Sequence, residues 1–294
     1  MKNTIQYHTM IRALREFFQE KKGFIEVPAQ SRLSILAACE NPKSITQYTL
    51  NNYVWPLPQT GQMWLEYELL TNPSWKGCYC ITTSYRDEQT IIEGRHQRIF
   101  PMFEFESHGS FADLKKLEEE LLIHLGFEAP IAIDYEDTCK KFETSTIEDE
   151  HERILYKELG ASISLEKFPS RTHPFWNMKY GGNGIFNKID ILLHGMETIG
   201  SAERETDKQI MREQFLAISD GQYSQLLFNK FSKERVMREM DEYLALDMFP
   251  RFGAGIGLTR LARAFELSGL FTSSVSESDA HVFPQTHQQP QITL

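Results

Sequence analysis

Arginine, glutamate and histidine crowd the run from Tyr85 to Glu106, YRDEQTIIEGRHQRIFPMFEFE. Arg86 and Glu88 open it, two residues apart, and Arg95 and His96 sit in its middle. Phe103-Glu104-Phe105-Glu106 closes it with an alternation of aromatic and acid. Such an alternation reads as a strand with one apolar and one polar face. Glu104 and Glu106 then point the same way off a sheet, on the side of Phe100. The stretch 89–97 is polar, carries Gly94 and lacks periodicity, so it reads as a hairpin loop holding Arg95 and His96. A hairpin that gathers Arg, Glu, His and an aromatic ring can hold an anion and a flat ring together, as a nucleotide requires. A surface hairpin with solvated charges accounts for the same residues.

A second group stands near the C-terminal end, Phe252-Gly-Ala-Gly-Ile-Gly-Leu-Thr-Arg260. Gly253, Gly255 and Gly257 alternate, which leaves one strand face without side chains. Glycine weakens a strand and often marks close approach by a ligand or another backbone. Arg260 falls in the first turn of the helix that follows, where it can lie over a ring and reach a phosphate. No Gly-Lys-Ser/Thr follows the glycines, and no parallel βαβ unit surrounds them, so neither a phosphate loop nor a dinucleotide fingerprint is present. A glycine-rich strand packed on a helix is the other reading.

Taken together, the two groups resemble motifs 2 and 3 of the class II aminoacyl-tRNA synthetases, and within them the asparaginyl, aspartyl and lysyl subgroup. Arg95 and His96 through Phe100 to Glu104 and Glu106 align with that family's motif 2 without a gap. Residues 4–22 read as an amphipathic helix with Ile11, Leu14, Phe17 and Phe18 near helical spacing, ended by Gly23. The strand Phe24–Val27 and Pro28 follow, an order that resembles motif 1, which forms the family's dimer interface. The resemblance runs from about Ile11 to Arg260. It implies an α+β fold, an antiparallel sheet flanked by helices. It also implies one catalytic domain over residues 1–294 and a homodimer. The chain begins almost at motif 1, which leaves no room for the N-terminal OB-fold, the anticodon-reading domain of full synthetases.

The resemblance also implies ligands. ATP lies bent on the sheet, with adenine between Phe100 and Arg260 and the α-phosphate on Arg86. Glu88 and Gly257 line the same nucleotide, and Arg95 and His96 meet its outer phosphates. Asp190 and Glu197, seven apart across a turn at His194-Gly195, match the family's pair that holds Mg²⁺ on the phosphates. Hard oxygen ligands suit that ion, which keeps several waters. Arg204 falls where relatives bind the substrate's side-chain carbonyl or carboxylate. Gln62 matches the second Gln of the aspartyl enzymes' Gln-Ser-Pro-Gln segment, and Cys39-Glu40 resembles the asparaginyl enzymes' loop, so Glu40 faces the substrate ammonium or solvent. Leu65 stands where aspartyl enzymes carry a lysine for the substrate carboxylate. Glu104 accepts from an amide NH₂ and repels a carboxylate, which favours asparagine over aspartate. Ile99, Pro101 and Met102 depart from the family's pattern.

The implied reaction is ATP-dependent formation of an aminoacyl adenylate by positioning and electrostatics. Three continuations stand open: transfer to a small molecule or protein, capture of aspartyl adenylate by ammonia as in short asparagine synthetases related to the asparaginyl enzymes, or a non-catalytic nucleotide-binding regulator. A net charge of −10 gives no support to a broad tRNA-binding surface. At 41% hydrophobic residues the chain supports a core. No signal peptide or membrane-length apolar run appears. Cys39, Cys78, Cys80 and Cys139 lack CxxC spacing and read as buried thiols of a cytoplasmic protein.

The remaining segments read as structural. Residues 112–125 form a helix with Leu114, Leu117, Leu121 and Leu122 inward and Glu118 to Glu120 in solvent. Residues 134–170 read as polar helix and loop, Pro174–Lys179 as a strand, and 205–220 and 232–246 as helices. Lys233, Glu234, Arg235 and Glu239 read as helix-face charge pairs. Only Phe283-Pro284 resembles the family's C-terminal segment, with Gln285 in place of its arginine.

Overall fold

The computed structural model describes residues 3–28, 32–92, 94–95 and 97–271. His96 and the segment around Phe283-Pro284 and Gln285 lie outside the described residues. The chain opens with helix α1 (Thr4–Arg15), started by Asn3, whose side chain accepts from the Ile5 amide at 2.9 Å. A wider helical turn, Glu16–Lys21, continues it and buries Phe17 and Phe18. Gly23, at φ +71°, ends it. Strands β1 (Ile25–Glu26), β2 (Gln47–Leu50) and β3 (Tyr53–Pro56) follow, then α2 (Gln62–Thr71). The hairpin β4 (Gly77–Tyr85) and β5 (Ile99–His108) comes next, then α3 (Phe111–His124), β6 (Ile131–Asp134), α4 (Tyr135–Lys141), α5 (Asp149–Leu159) and β7 (Ser162–Pro169). After them run β8 (Tyr180–Gly182), β9 (Ile185–Leu193), β10 (Glu197–Glu203), α6 (Lys208–Ala217), α7 (Gln222–Phe231) and α8 (Lys233–Leu244). The described chain ends with β11 (Arg251–Gly257) and α9 (Leu258–Leu267).

Among the described residues nine strands form one sheet in the order β1-β4-β5-β11-β10-β9-β7-β6, with β8 on β9. Only β1–β4 and β6–β7 pair in parallel; the centre is antiparallel, as expected for the α+β class. Alternation gives the sheet two unlike faces. Phe103 and Phe105, with Tyr79, Ile189, Ile191, Ile199, Ala254 and Ile256, pack against α1, α3 and α9. Phe18 of the α1 extension meets Phe105 at 4.7 Å and Phe103 at 5.0 Å between ring centroids. Fully burying one such ring contributes roughly 1.5–3 kcal/mol, against ~0–1 kcal/mol for an exposed ion pair. This layer therefore decides how α1 sits on the sheet. A second core, around Trp176, Phe215 and Tyr243, joins α2, α6, α7 and α8. It walls the other face, where Glu104 and Glu106 point.

Several expectations are corrected. Glu104 and Glu106 are fully buried, so the polar face of β5 is not solvated, although most of the described loop residues between 87 and 99 are exposed. Glu118 is buried too, because α3 turns that side onto the sheet beside β10. The stretch 134–170 contains the strand β7 as well as α4 and α5. Pro174–Lys179 forms no strand: beside the isolated bridge of Met178 to Arg204, the Lys179 N–H donates to the Glu203 carbonyl and the Glu205 N–H to the Asn177 carbonyl, and buried Trp176 packs into the helical layer. Arg235 and Glu239 do not pair along α8. Arg235 lies over Trp55 at 4.7 Å, and Glu239 accepts from the backbone N–H of Ile35 at 2.9 Å. The four cysteines are buried and free, as expected. No helix among the described residues is long and apolar enough to cross a membrane.

Candidate active site

The glycines of β11 shape the site. A Cβ on Gly253 would lie 2.0 Å from Glu106 Oε1, and one on Gly255 would lie 2.8 Å from the Met102 methyl. Their absence lets side chains of β5 lie across β11 and opens a cleft of about 380 Å³ on that face. Arg86, Glu88, Arg95, Phe100, Gly257 and Arg260 all line it. So do Glu40, Gln62, Glu104 and Arg204, and Asp190 with Glu197. Every sequence-predicted site residue among those described thus meets in one cavity, although they come from segments more than 200 positions apart.

At one end Arg86, Arg95 and Arg260 converge, with Arg263 beside them. Arg86 leaves the end of β4, pairs with Glu40 and stands over the Phe100 ring at 5.6 Å. Arg95, in the hairpin loop, is gripped by Asp149 at 2.8 Å and Glu152 at 2.5 Å from α5. Arg260 donates to the backbone carbonyl of Glu197 at 2.8 Å. Arg263, one turn on and lining the same cleft, donates to the carbonyl of His194 at 3.3 Å.

The two candidate metal ligands sit beside this end. The turn at His194 (φ +48°) and Gly195 (φ +70°) folds β9 onto β10. A Cβ on Gly200 would fall 3.2 Å from Glu197 Oε1 and 3.7 Å from Asp190 Oδ1, so both carboxylates flank one bare backbone position. Burial pushes Asp190 up to about 7, against the pull of Lys188, whose ammonium is 2.5 Å away. Desolvation opposes the charge of Glu197, yet Lys188, Arg260 and Arg86 outweigh it and hold the carboxyl below its usual value. No cluster of three or more His, Cys, Asp or Glu arranged for a metal occurs among the described residues. A pair of hard carboxylates fits Mg²⁺, which takes one or two from the protein and the rest from phosphate and water.

At the other end lies a buried charge network. Arg204 donates to Glu106 at 3.0 Å through Nε, contacts Gln62 Oε1 and lies 3.7 Å from Glu66. Gln62 donates in turn to the Ala254 carbonyl at 2.7 Å. Glu66 accepts from Arg251 at 2.6 Å, Tyr243 at 2.7 Å and Asn177 at 2.5 Å. Burial pushes Glu106 up to about 7 while Arg204 opposes it. Burial also raises Glu104, which is held by Thr60 at 2.5 Å, Thr82 at 2.6 Å and the Gly61 amide at 2.7 Å. Leu65 packs with Val27, Cys78 and Cys80 and does not line the cleft.

Sequence reading overlooked the residues that hold the site together. Lys188 lies two positions before Asp190 on one strand, and Arg251 two before Gly253, so period two carried a signal for both. Glu66, Asn177, Asp149 and Glu152 gave none, because their partners are remote in sequence.

The fold has close counterparts. Asparaginyl-tRNA synthetase from Pyrococcus horikoshii, complexed with asparaginyl-adenylate, superposes with a TM-score of 0.73 at 20% identity, over 89% of this chain and 64% of that one. The asparaginyl enzyme of Entamoeba histolytica, in complex with asparaginyl-adenylate, gives 0.68 at 18% identity, over 88% and 62%. A putative aspartyl-tRNA synthetase from Leishmania major gives 0.68 at 16%, over 88% and 61%. This chain therefore spans about three fifths of the length of these structures. Compared with curated proteins by sequence, it finds no significant match. The family model described as "tRNA synthetases class II (D, K and N)" matches residues 1–287, and the chain belongs to that family.

Proposed function

We propose that this chain activates an amino acid with ATP, forming an aminoacyl adenylate and pyrophosphate. The observation that carries the reading is the convergence of three arginines, two flanking carboxylates and an arginine–carboxylate pocket in one cleft. Arg86 would bind the α-phosphate, Arg95 the outer phosphates, and Phe100 and Arg260 the adenine. Asp190 and Glu197 would hold Mg²⁺, which supplies charge neutralisation on the phosphates. Fixed arginines then stabilise charge developing on the α-phosphoryl group and on departing pyrophosphate. The substrate carboxylate is the nucleophile, so no side chain need form a bond.

The amino-acid end favours asparagine over aspartate. Arg204 is already compensated by Glu106 and approached by Glu66, and the carboxyl of Glu104 lines the same cleft. A substrate carboxylate would add a negative charge to this group without a free cation, and an unpaired buried charge costs several kcal/mol. An amide adds none. A homodimer through α1 and β1 belongs to the same reading, as does a single catalytic domain.

Amino-acid-dependent ATP–pyrophosphate exchange across the twenty amino acids tests it. Exchange with asparagine alone is expected. Exchange with aspartate alone would overturn the side-chain argument and make ammonia capture the leading reaction. No exchange with any amino acid would sink the activation reading.

A further inference from the structure

A second cavity, of about 450 Å³, adjoins the first. Glu40, Phe175, Met178 and Lys188 face both, and form the wall between them. Activation of the amino acid uses none of the second cavity's other residues. Phe168, Pro174, Ile218 and Leu226 give it an apolar lining, while Lys43 and His173 lie exposed at its edge. The side chains of Lys43 and His173 have no partner among the described residues. The other two charged groups are already engaged, Lys188 with Asp190 and Glu40 with Arg86.

The backbone around this cavity is strained. His173 stands in the left-handed region at φ 51°, ψ 57°, and Ser219 and Asp220 follow one another there at φ 53° and 54°. Non-glycine residues rarely adopt that conformation, and they persist where the surrounding structure enforces it, often at binding sites. Here His173 and Ser219 both line the cavity, from different segments.

We propose that the second cavity binds the acceptor of the activated amino acid, a primary amine joined to a carboxylate through an apolar spacer. This rests on the adenylation reading. The carboxylate would meet Lys43 and His173, the spacer would lie on the apolar lining, and the amine would reach the shared wall. There the amine's lone pair attacks the acyl carbon of the adenylate. A C–N bond forms, and the C–O bond to phosphate breaks with its electron pair leaving on AMP. The proton lost by the amine passes to the Glu40 carboxylate and on to solvent. The volume suits a small molecule, since such sites span about 300–1,000 Å³. A polynucleotide would need a cationic surface, which a chain of net charge −10 does not favour.

The test uses the full chain with ATP, Mg²⁺ and the amino acid active in exchange. AMP release is followed with glycine, 4-aminobutanoate, 6-aminohexanoate and 4-(aminomethyl)benzoate, each against its carboxamide. At least one carboxylate is expected to speed AMP release about tenfold over its carboxamide, as expected for a charge-assisted contact. Lys43→Glu and Leu226→Trp should each abolish that difference and leave pyrophosphate exchange unchanged. Equal rates for carboxylates and carboxamides, or a difference that survives both variants, would overturn the proposal, as would acceleration by tRNA or protein alone. Absence of exchange in the parent chain counts against adenylation instead. The cavity is then judged by thermal shift with 4-(aminomethyl)benzoate alone: stabilisation of the parent and not of Lys43→Glu supports it, and no shift overturns it.

Discussion

Arg95 apart, which is 11% exposed between Asp149 and Glu152, the two ends of the cleft hold their arginines in opposite ways. At the amino-acid end Arg204 is 4% exposed and Arg251 fully buried, and their carboxylates Glu66 and Glu106 are fully buried as well. At the phosphate end Arg86 and Arg260 keep about a quarter of their side chains exposed, and each leans on an acid that is itself accessible, Glu40 or Glu197. A buried network cannot trade partners, because each charge left alone stays desolvated. An accessible pair can be exchanged for a ligand's anion at little cost. The difference suggests that the amino-acid end is built before substrate arrives, and that the phosphate end is completed by ATP.

Removing one buried partner is the strongest way to break that picture. Glu66→Ala leaves Arg251 with Tyr243 and two backbone carbonyls as its hydrogen-bond partners among the described residues, and with Glu106 as the remaining nearby negative charge. A loss of about 3–5 kcal/mol is expected, read from the urea midpoint. A loss below ~1 kcal/mol, the scale of an exposed pair, would show that the two ends do not differ. Arg86→Ala probes the other end. Pyrophosphate exchange should fall by roughly 10²–10³, the usual effect of deleting one donor at a developing charge. Stability should change by no more than ~1 kcal/mol. Unfolding on the scale of Glu66→Ala would mean that Arg86 is structural.

Which parts were legible follows from the range of the interactions. The hairpin, the glycine strand, Arg260 on its helix and the Asp190–Glu197 turn are local patterns, and period two or a turn sequence reveals them. The family resemblance then brought them to one site. Glu66 in α2 and Glu152 in α5 act only through partners brought near by the fold, so no spacing announces them. Pro174–Lys179 misled because its aromatics look like a strand, whereas Trp176 packs with Phe215 and Tyr243 in a helical layer. Glu118 misled because it stands in a run of acids, and burial is decided by which side of α3 meets the sheet.

Glu118 also sharpens the comparison, as an acid buried without an arginine. The Ser201 hydroxyl beside it donates to the Ile189 carbonyl at 3.3 Å and only weakly opposes the burial that pushes the Glu118 carboxyl up to about 8. A folded-state value above the unfolded one means that folding retains the proton. The protonated form fits without penalty at low pH, and stability falls as pH rises towards 8. Glu118→Gln, which mimics that form, should match the parent at pH 4, below the ordinary carboxylate value. It should be more stable than the parent by about 2 kcal/mol at pH 6 and about 4 kcal/mol at pH 8, at 1.36 kcal/mol per unit. Parallel stability curves for the two proteins across that window would refute this.

The smallest effect probes the grip on Arg95. Asp149 and Glu152 together compensate the guanidinium, which is only 11% exposed. If ATP completes the phosphate end, its outer phosphates must compete with these acids for Arg95. Glu152→Gln keeps the side chain's shape and its acceptor oxygen but removes one of the two negative charges. Arg95 then moves to phosphate more readily, and the KM for ATP should fall about three- to fivefold, or about 1 kcal/mol, because Asp149 still holds the guanidinium. The maximal exchange rate should hold, since the change affects how ATP is captured rather than the charge at the α-phosphate. Asp149→Asn should act in the same direction, and the double variant should exceed either. A raised KM in Glu152→Gln would mean that α5 positions Arg95 for ATP instead of competing for it, and the phosphate end would then be as fully built beforehand as the amino-acid end.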